Sequence, residues 1–477
     1  MNKVLSSKLV EPINTEYDLL VIGAGSAGFS AAITAAEAGA RVALVGHGTV
    51  GGTCVNVGCV PSKTLIRAME SVHNGGVGRF SGIEGKASVR DWAAIIAEKD
   101  GLVESLRQSK YADLLPEYEG ITYIEGRAHI VGGGVDVDGL RLNASKIIVA
   151  TGARPLIPDI PGLDTVPYLT STTAFELTNL PESLLVVGGG YIGVEIAQMF
   201  ARAGVQVTIV CRSRILPEAE PEIGEALTGY LRDEDLTILT GVEYQDISAL
   251  EDHVRLRTTV DGNETDLQGE RVLIATGRQP NSDGMGLEEQ GVTLDHRGGI
   301  VVDDQMQSSI AGIFAVGDVT GRDQFVYMAA YGAKLAARNA IKSAEQHYDA
   351  SVMPSVVFTD PQVASVGLTE KAAASSGFEV RTSVLPLEHV PRALTARDTR
   401  GLIKLVADAD TNRILGAHIL APEGGESIQT AALAIQHGMT VSALADTIFP
   451  YLTTVEGLKL AAQTFDKDVA KLSCCAG

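Results

Sequence analysis

The sequence predicts an α/β chain with two Rossmann-like units in succession, followed by a C-terminal domain of α+β type. Three observations carry this prediction. A continuous apolar run ends at Ile22, passes through a glycine-rich turn into a small-residue helix over 28–38, and returns as a strand over 42–45, which makes a βαβ unit. The same pattern recurs from Leu184, with a strand over 184–188, a helix over 193–203 and a strand over 207–210. Beyond Tyr348 there is no further glycine fingerprint; strands over 356–359, 380–386 and 402–407 and helices over 423–437 and 440–447 are expected.

Two segments ending in Ala-Thr-Gly, 147–152 and 272–277, read as strands that return to the sheet of each unit and leave through a loop containing Pro155 or Pro280. The expected organisation is 1–153 as the first part of one nucleotide domain, 154–272 as a second inserted domain, 273–345 as a central segment completing the first, and 346–477 as the C-terminal domain. A chain of 477 residues suits about three domains.

Composition excludes several classes of function. Asp and Glu total 59 against 38 Lys and Arg, a net charge of −21, which opposes binding to nucleic acid or to an anionic membrane. The nearly uncharged stretch 19–36 contains Gly23, Gly25 and Gly28, so it reads as strand, turn and helix and not as a membrane span. Five cysteines do not make a disulfide framework, and a cytoplasmic setting is expected.

The glycine fingerprints indicate ligands. Gly23-Ala-Gly25-Ser-Ala-Gly28 sits between strand and helix, where backbone amides and a helix N-terminus can approach a pyrophosphate. A ribose-binding carboxylate is expected about 20 residues further on. Here the strand end reads Gly46-His47-Gly48, with no acid. The second fingerprint is Gly188-Gly-Gly190-Tyr191-Ile-Gly193. Its second strand is followed by Cys211-Arg212-Ser213-Arg214, and two arginines with a serine suit a 2′-phosphate, hence NADPH; a solvated basic turn is the plainer alternative.

The most specific segment is Gly51-Gly52-Thr53-Cys54-Val-Asn-Val-Gly-Cys59-Val-Pro-Ser-Lys63. Its two cysteines lie at the start of a predicted helix, where the helix N-terminus and Lys63 favour thiolate. The spacing fits neither a zinc site nor a Cys-x-x-Cys redox motif.

This segment resembles the redox disulfide of the class I pyridine nucleotide-disulfide oxidoreductases, the family of glutathione reductase, lipoamide dehydrogenase and mercuric reductase. The resemblance runs over essentially the whole chain, through Ala150-Thr-Gly152, Ala275-Thr-Gly277-Arg278-Gln-Pro-Asn281 and Gly312-Ile-Phe-Ala-Val-Gly317-Asp318. It implies FAD on the first fingerprint, NADPH on the second, and a C-terminal dimerisation domain that makes a homodimer with shared active sites. It implies that Asp318 binds the ribityl chain, that Gly48, Thr53, Lys63, Ala128 and Val326 contact the flavin, and that Lys63 and Glu195 pair beside it. Cys54 and Cys59 would form the redox-active disulfide, with Cys59 facing the flavin and Cys54 exchanging with substrate, and Tyr191 would flank the nicotinamide or the substrate.

Two further features distinguish members of the family. Disulfide reductases of this kind place a His five residues before a Glu as acid-base for a leaving thiol. The matching stretch, Phe449-Pro-Tyr451-Leu-Thr-Thr-Val-Glu456, has Tyr451 there, and a phenol with pKa near 10 is a poor proton shuttle at neutral pH. The chain closes on Cys474-Cys475-Ala-Gly477, and adjacent thiols offer two soft donors to a soft metal. These features resemble the mercuric reductase branch. That resemblance implies NADPH-dependent reduction of Hg(II), delivered as a thiol complex, to Hg(0), with Cys474 and Cys475 of one subunit passing the metal to Cys54 and Cys59 of the other. The start of the chain, almost directly on the first strand, leads us to expect a core form without an N-terminal metal-binding domain. Two other readings stand beside it: a disulfide reductase of the lipoamide dehydrogenase or glutathione reductase type, and a non-enzymatic thiol protein that buffers metal.

Overall fold

The computed structural model describes residues 16–471. Cys474 and Cys475 lie outside the described residues. The described residues form two compact units, one within 16–60, 101–154 and 278–350, the other within 61–100, 155–277 and 351–471.

The first unit is built on a five-stranded parallel sheet in the order Ile313–Ala315, Ile147–Val149, Leu19–Ile22, Val42–Gly46, Ile121–Glu125. The central strands are apolar on both faces because each face is covered. Helices Ser26–Glu37 and Val326–Lys342 pack on one face through Leu19, Val21, Leu44, Ala32 and Ala333. The four-stranded sheet of Glu16–Tyr17, Leu140–Ala144, Gly134–Val137 and Ala128–Val131 supplies Val135 and Leu142 to the other. This second sheet has no clear signal in the sequence, because its short strands carry few consecutive apolar residues.

The second unit repeats the design. Its parallel sheet runs Tyr168–Leu169, Arg271–Ile274, Ser183–Val187, Gln206–Val210, Thr237–Leu239, with helix Tyr191–Arg202 after the second fingerprint. A three-stranded antiparallel sheet, Glu243–Ala249, Val254–Val260 and Asn263–Gly269, also belongs to it. The C-terminal part is a five-stranded antiparallel sheet that includes the expected Ser355–Val357, Val380–Pro386 and Leu402–Asp408, plus two strands beyond those expected, Gln362–Gly367 and Ile414–Ala421. Helices Gly424–Gln436, Val441–Asp446 and Glu456–Gln463 cover it.

One segment departs from the expected division. Residues 61–100, expected with 1–153 in the first nucleotide domain, belong to the second unit. The cause is apolar burial: Leu65, Met69, Trp92 and Ile96 join the cluster of Val194, Phe200 and Leu420, and the Trp92 indole N–H donates to the Leu177 carbonyl at 2.7 Å.

The two fingerprints are structurally equivalent in one informative respect. Gly23 and Gly188 have φ of +117° and +123°, and a Cβ on either would lie 2.3 Å from a carbonyl oxygen, of Ala150 and Ala275 respectively. Each fingerprint therefore requires glycine because its own Ala-Thr-Gly strand closes against it. A Cβ at Gly28 or Gly193 would strike the carbonyl of the first glycine, at 1.7 and 2.3 Å, so each helix starts as close to its strand as backbone allows.

Within the second unit a buried cation organises the C-terminal sheet. The Lys404 ammonium, 1% exposed, donates to Glu220 at 3.0 Å, Glu222 at 2.9 Å and Glu370 at 2.7 Å. His418 stands 3.8 Å from Glu220, and its Nε2 bonds the Leu368 carbonyl at 3.1 Å. Burial holds His418 below its ordinary pKa, opposed by the Leu368 carbonyl and Glu220. The unfolded chain thus takes up this proton first as the pH falls. His418 contributes stability that is fully present above about pH 6.5 and is lost below it, at up to about 1.4 kcal/mol per pH unit. Thermal unfolding followed from pH 8 to pH 5.5 should show this decline, and His418→Asn should make it shallower. An unchanged slope would remove His418 from the account.

Candidate active site

The thiol segment is shaped by backbone contacts before any cofactor is considered. Cys54 lies in the short helix Gly52–Asn56, and Cys59 opens the long helix Cys59–Gly76. Cys54 is half-buried and Cys59 exposed. Gly51 takes φ +100° to start the turn, and a Cβ at Gly52 would lie 2.7 Å from Gly25 Cα, so the segment is seated directly on the first fingerprint. A Cβ at Gly58 would meet the Thr53 carbonyl at 2.9 Å, and this close return brings the second cysteine back toward the first. The N-terminus of an 18-residue helix favours a thiolate at Cys59.

Three residues missed in the sequence brace this turn. The Asn56 amide donates to the Val50 and Gly52 carbonyls, each at 2.9 Å, and its oxygen accepts from Arg107 at 3.2 Å. The Tyr111 ring meets Phe29 edge-on at 4.9 Å, and its hydroxyl shares a hydrogen bond of 3.1 Å with Ser26. Burial raises the Tyr111 pKa, and the nearby cysteines raise it further, so it stays a neutral phenol beside the thiols. Asn56 was legible as a polar residue enclosed by the two cysteines; Arg107 and Tyr111, some fifty residues on, carry no local signal.

Asp318 sits in the turn Gly317–Thr320, with helix Val326–Lys342 following. Burial raises its pKa, and Arg278, whose Nε lies 3.6 Å from the carboxylate, opposes that rise. Ala128 begins its strand, half-buried, and Gly48 is exposed with φ +81°. Thr53 is exposed on the Cys54 helix.

In the second unit Lys63 and Glu195 pair at 2.7 Å. Glu195 is buried, and its other oxygen accepts the Phe358 N–H at 2.8 Å, while the Lys63 ammonium lies 4.7 Å over the Phe358 ring. Glu195, Gln198 and Arg202 occupy one face of helix Tyr191–Arg202 at i, i+3 and i+7. Gln198 bonds both the N–H and the carbonyl of Asp360, at 2.8 and 2.9 Å, and Arg202 reaches the Asp360 carboxylate at 2.9 Å. The segment Phe358–Asp360 is therefore clamped along that face. Tyr191 is the first residue of this helix and is half-buried.

Arg212 and Arg214 take different roles. Arg214 turns back into its loop and donates to the Pro217 and Ala219 carbonyls, at 2.9 and 2.5 Å. Arg212 and Ser213 are exposed at the strand end. Of the two guanidiniums, that of Arg212 is the one left exposed, as the expectation of a 2′-phosphate partner requires. Arg212→Ala should lower kcat/KM for NADPH by about 10- to 100-fold and leave NADH nearly unchanged, whereas Arg214→Ala should lower thermal stability. Steady-state kinetics with both nucleotides checks this. Cys211 is buried and its pKa is raised by burial to about 11, which makes it an inert apolar filler.

Tyr451 is 53% exposed in a turn beside the fully solvated Ile448, and the buried Glu456 accepts the Leu452 N–H at 3.2 Å. Among the described residues no cluster of three His, Cys, Asp or Glu side chains is arranged to hold a metal, and no helix is long and apolar enough to cross a membrane.

Two coenzyme cradles, a Cys-x₄-Cys segment seated on the first, and an antiparallel C-terminal sheet define a class of two-nucleotide thiol oxidoreductase. A family model for pyridine nucleotide-disulphide oxidoreductases matches residues 17–343, and one for their dimerisation domain matches 353–462; the chain belongs to this family. Within it, the chain is 47% identical to a mercuric reductase of Bacillus cereus, over 97% of this chain and 74% of that one. It is 46% identical to a mercuric reductase of Streptomyces lividans, over 97% of this chain and 99% of that one. Among solved structures it resembles the HOCl-induced flavoprotein disulfide reductase RclA of Escherichia coli, determined as a Cu(II) complex, with 32% identity, 94% and 99% coverage and a TM-score of 0.84.

Proposed function

We propose that the chain is an NADPH-dependent flavoenzyme that reduces Hg(II) to elemental mercury through Cys54 and Cys59. The observation that carries this reading is end-to-end similarity to mercuric reductases, 46% identity over nearly all of both chains in the Streptomyces lividans case. The residues present fit FAD and NADPH. Both glycine cradles bring backbone within reach of a pyrophosphate, Asp318 is a half-buried carboxylate at the end of the first sheet, and Arg212 is exposed at the end of the second.

Oxidation of NADPH by way of bound FAD supplies two electrons and releases one proton. The chain's own residues handle the metal. The Cys54 and Cys59 thiolates replace the ligands of an incoming Hg(II) thiol complex, one at a time, and hold it linearly. When Hg(II) gains two electrons, both mercury–sulfur bonds break, the thiolates are regenerated and neutral Hg(0) leaves. The balance is NADPH + Hg(II) → NADP⁺ + H⁺ + Hg(0). The Lys63–Glu195 pair keeps a cation fixed one helical turn beyond Cys59, where it stabilises negative charge. The dimerisation domain supports a homodimer. In that assembly the partner's tail cysteines deliver the metal in a reducing, cytoplasmic setting, and the exposed Tyr451 stands where a disulfide reductase would need an imidazole.

Anaerobic NADPH oxidation with a mercuric salt and excess thiol tests the reading; absence of mercury-dependent turnover would overturn it. Replacing Cys474 and Cys475 together by Ala should lower kcat/KM for Hg(II) held in excess thiol by about 10- to 100-fold, because a tethered donor pair raises the local concentration of metal. An unchanged kcat/KM would remove the tail from delivery.

A further inference from the structure

The first nucleotide cradle lacks the strand-end carboxylate that ordinarily binds the adenosine ribose. The acid's position is Gly46, the last residue of strand Val42–Gly46. A Cβ placed there would lie 2.7 Å from Ala24 Cβ, 2.8 Å from the Tyr123 hydroxyl and 3.0 Å from Tyr123 Cε2. The space in which an acidic side chain would begin is thus already filled by a phenol from the neighbouring strand.

The register explains how Tyr123 arrives there. Strands Val42–Gly46 and Ile121–Glu125 are parallel, with Leu44 opposite Tyr123 and Gly46 opposite Glu125. Tyr123 therefore shares a sheet face with Leu44 and Gly46. The side chain lies along that face toward the C-terminal end of the strands, the end at which ligands bind in open α/β sheets. It packs against the apolar cluster that includes Leu44 and Val42, while its hydroxyl makes no hydrogen bond to any described residue. Burial, and the adjacent Glu125, raise its pKa, so it remains a neutral phenol able to donate and accept.

We infer that the Tyr123 hydroxyl replaces the missing carboxylate as the hydrogen-bond partner of the adenosine ribose of FAD, and that Gly46 is glycine because the phenol occupies the acid's place. This rests on the reading of the first cradle as the FAD site. The exposed Glu125, on the same face, is the competing partner.

The test exchanges the flavin of the purified holoenzyme to equilibrium against FAD and an analogue whose adenosine lacks the ribose 2′-hydroxyl, then measures the bound ratio by chromatography. Wild type should prefer FAD about 5- to 10-fold, the scale of one net hydrogen bond. Tyr123→Phe should bring that preference to within twofold of unity with the melting temperature little changed, and Glu125→Gln should retain it. A wild-type protein without preference, or a Tyr123→Phe variant that keeps it, overturns the assignment. Loss of preference in Glu125→Gln alone transfers the role to the carboxylate and also overturns it. A purified protein that holds no flavin of either kind instead overturns the cradle reading, a distinguishable result.

Discussion

Cys59→Ala should abolish mercury-dependent NADPH oxidation, lowering turnover at least about 1000-fold, the scale expected when the atom that forms the essential bond is removed. The position leaves little for another group to supply. Cys59 is exposed at the head of an 18-residue helix, and the five residues before it are folded back by the close approach of Gly58 to the Thr53 carbonyl. Cys211, the remaining described cysteine, is buried with its pKa raised to about 11 and cannot substitute. The flavin absorbance of the variant should be retained, because the cradle glycines and Asp318 are untouched. A variant with intact flavin and more than about a tenth of wild-type turnover would show that reduction does not pass through the thiol pair. Cys54→Ala should be similarly inactive, since a single thiolate cannot hold the metal against excess thiol.

The second large effect concerns stability. Lys404→Met should destabilise the protein by about 3–5 kcal/mol, because it leaves Glu220, 3% exposed, as a buried charge with its cation gone. Glu222 and Glu370 are nearer solvent and can rehydrate. Denaturant midpoints measure this directly. The double change Lys404→Met with Glu220→Leu should recover much of the loss. A single Lys404→Met variant as stable as wild type would show that the ion cluster contributes nothing net.

Much of the site was legible before the fold was known. The fingerprints and the Cys54–Cys59 segment are local patterns that residue type and spacing single out, whereas Asp318 and the pairing of Lys63 with Glu195 were expected only through the family resemblance. The partners of those patterns were not legible. Asn56 lies within the segment, yet its role depends on folding back to Val50 and Gly52, while Arg107 and Tyr111 reach the turn from half a hundred residues away. Arg212 and Arg214 looked equivalent in sequence, and only the loop geometry commits Arg214 to the Pro217 and Ala219 carbonyls.

The sequence by itself determined the two βαβ units, because a strand buried on both faces must be continuously apolar and a phosphate cradle must be glycine. The cysteine spacing set the pair apart from zinc and Cys-x-x-Cys sites, and the family resemblance carried its redox role and, with Tyr451 and the terminal cysteines, the expected substrate class. Tertiary structure alone decided that residues 61–100 pack with the second unit, that three carboxylates converge on Lys404, and that a phenol stands under Gly46. The physical reason is common to all three. Each depends on contacts between residues distant in sequence, where apolar burial or charge compensation chooses the partner and no local periodicity records the choice.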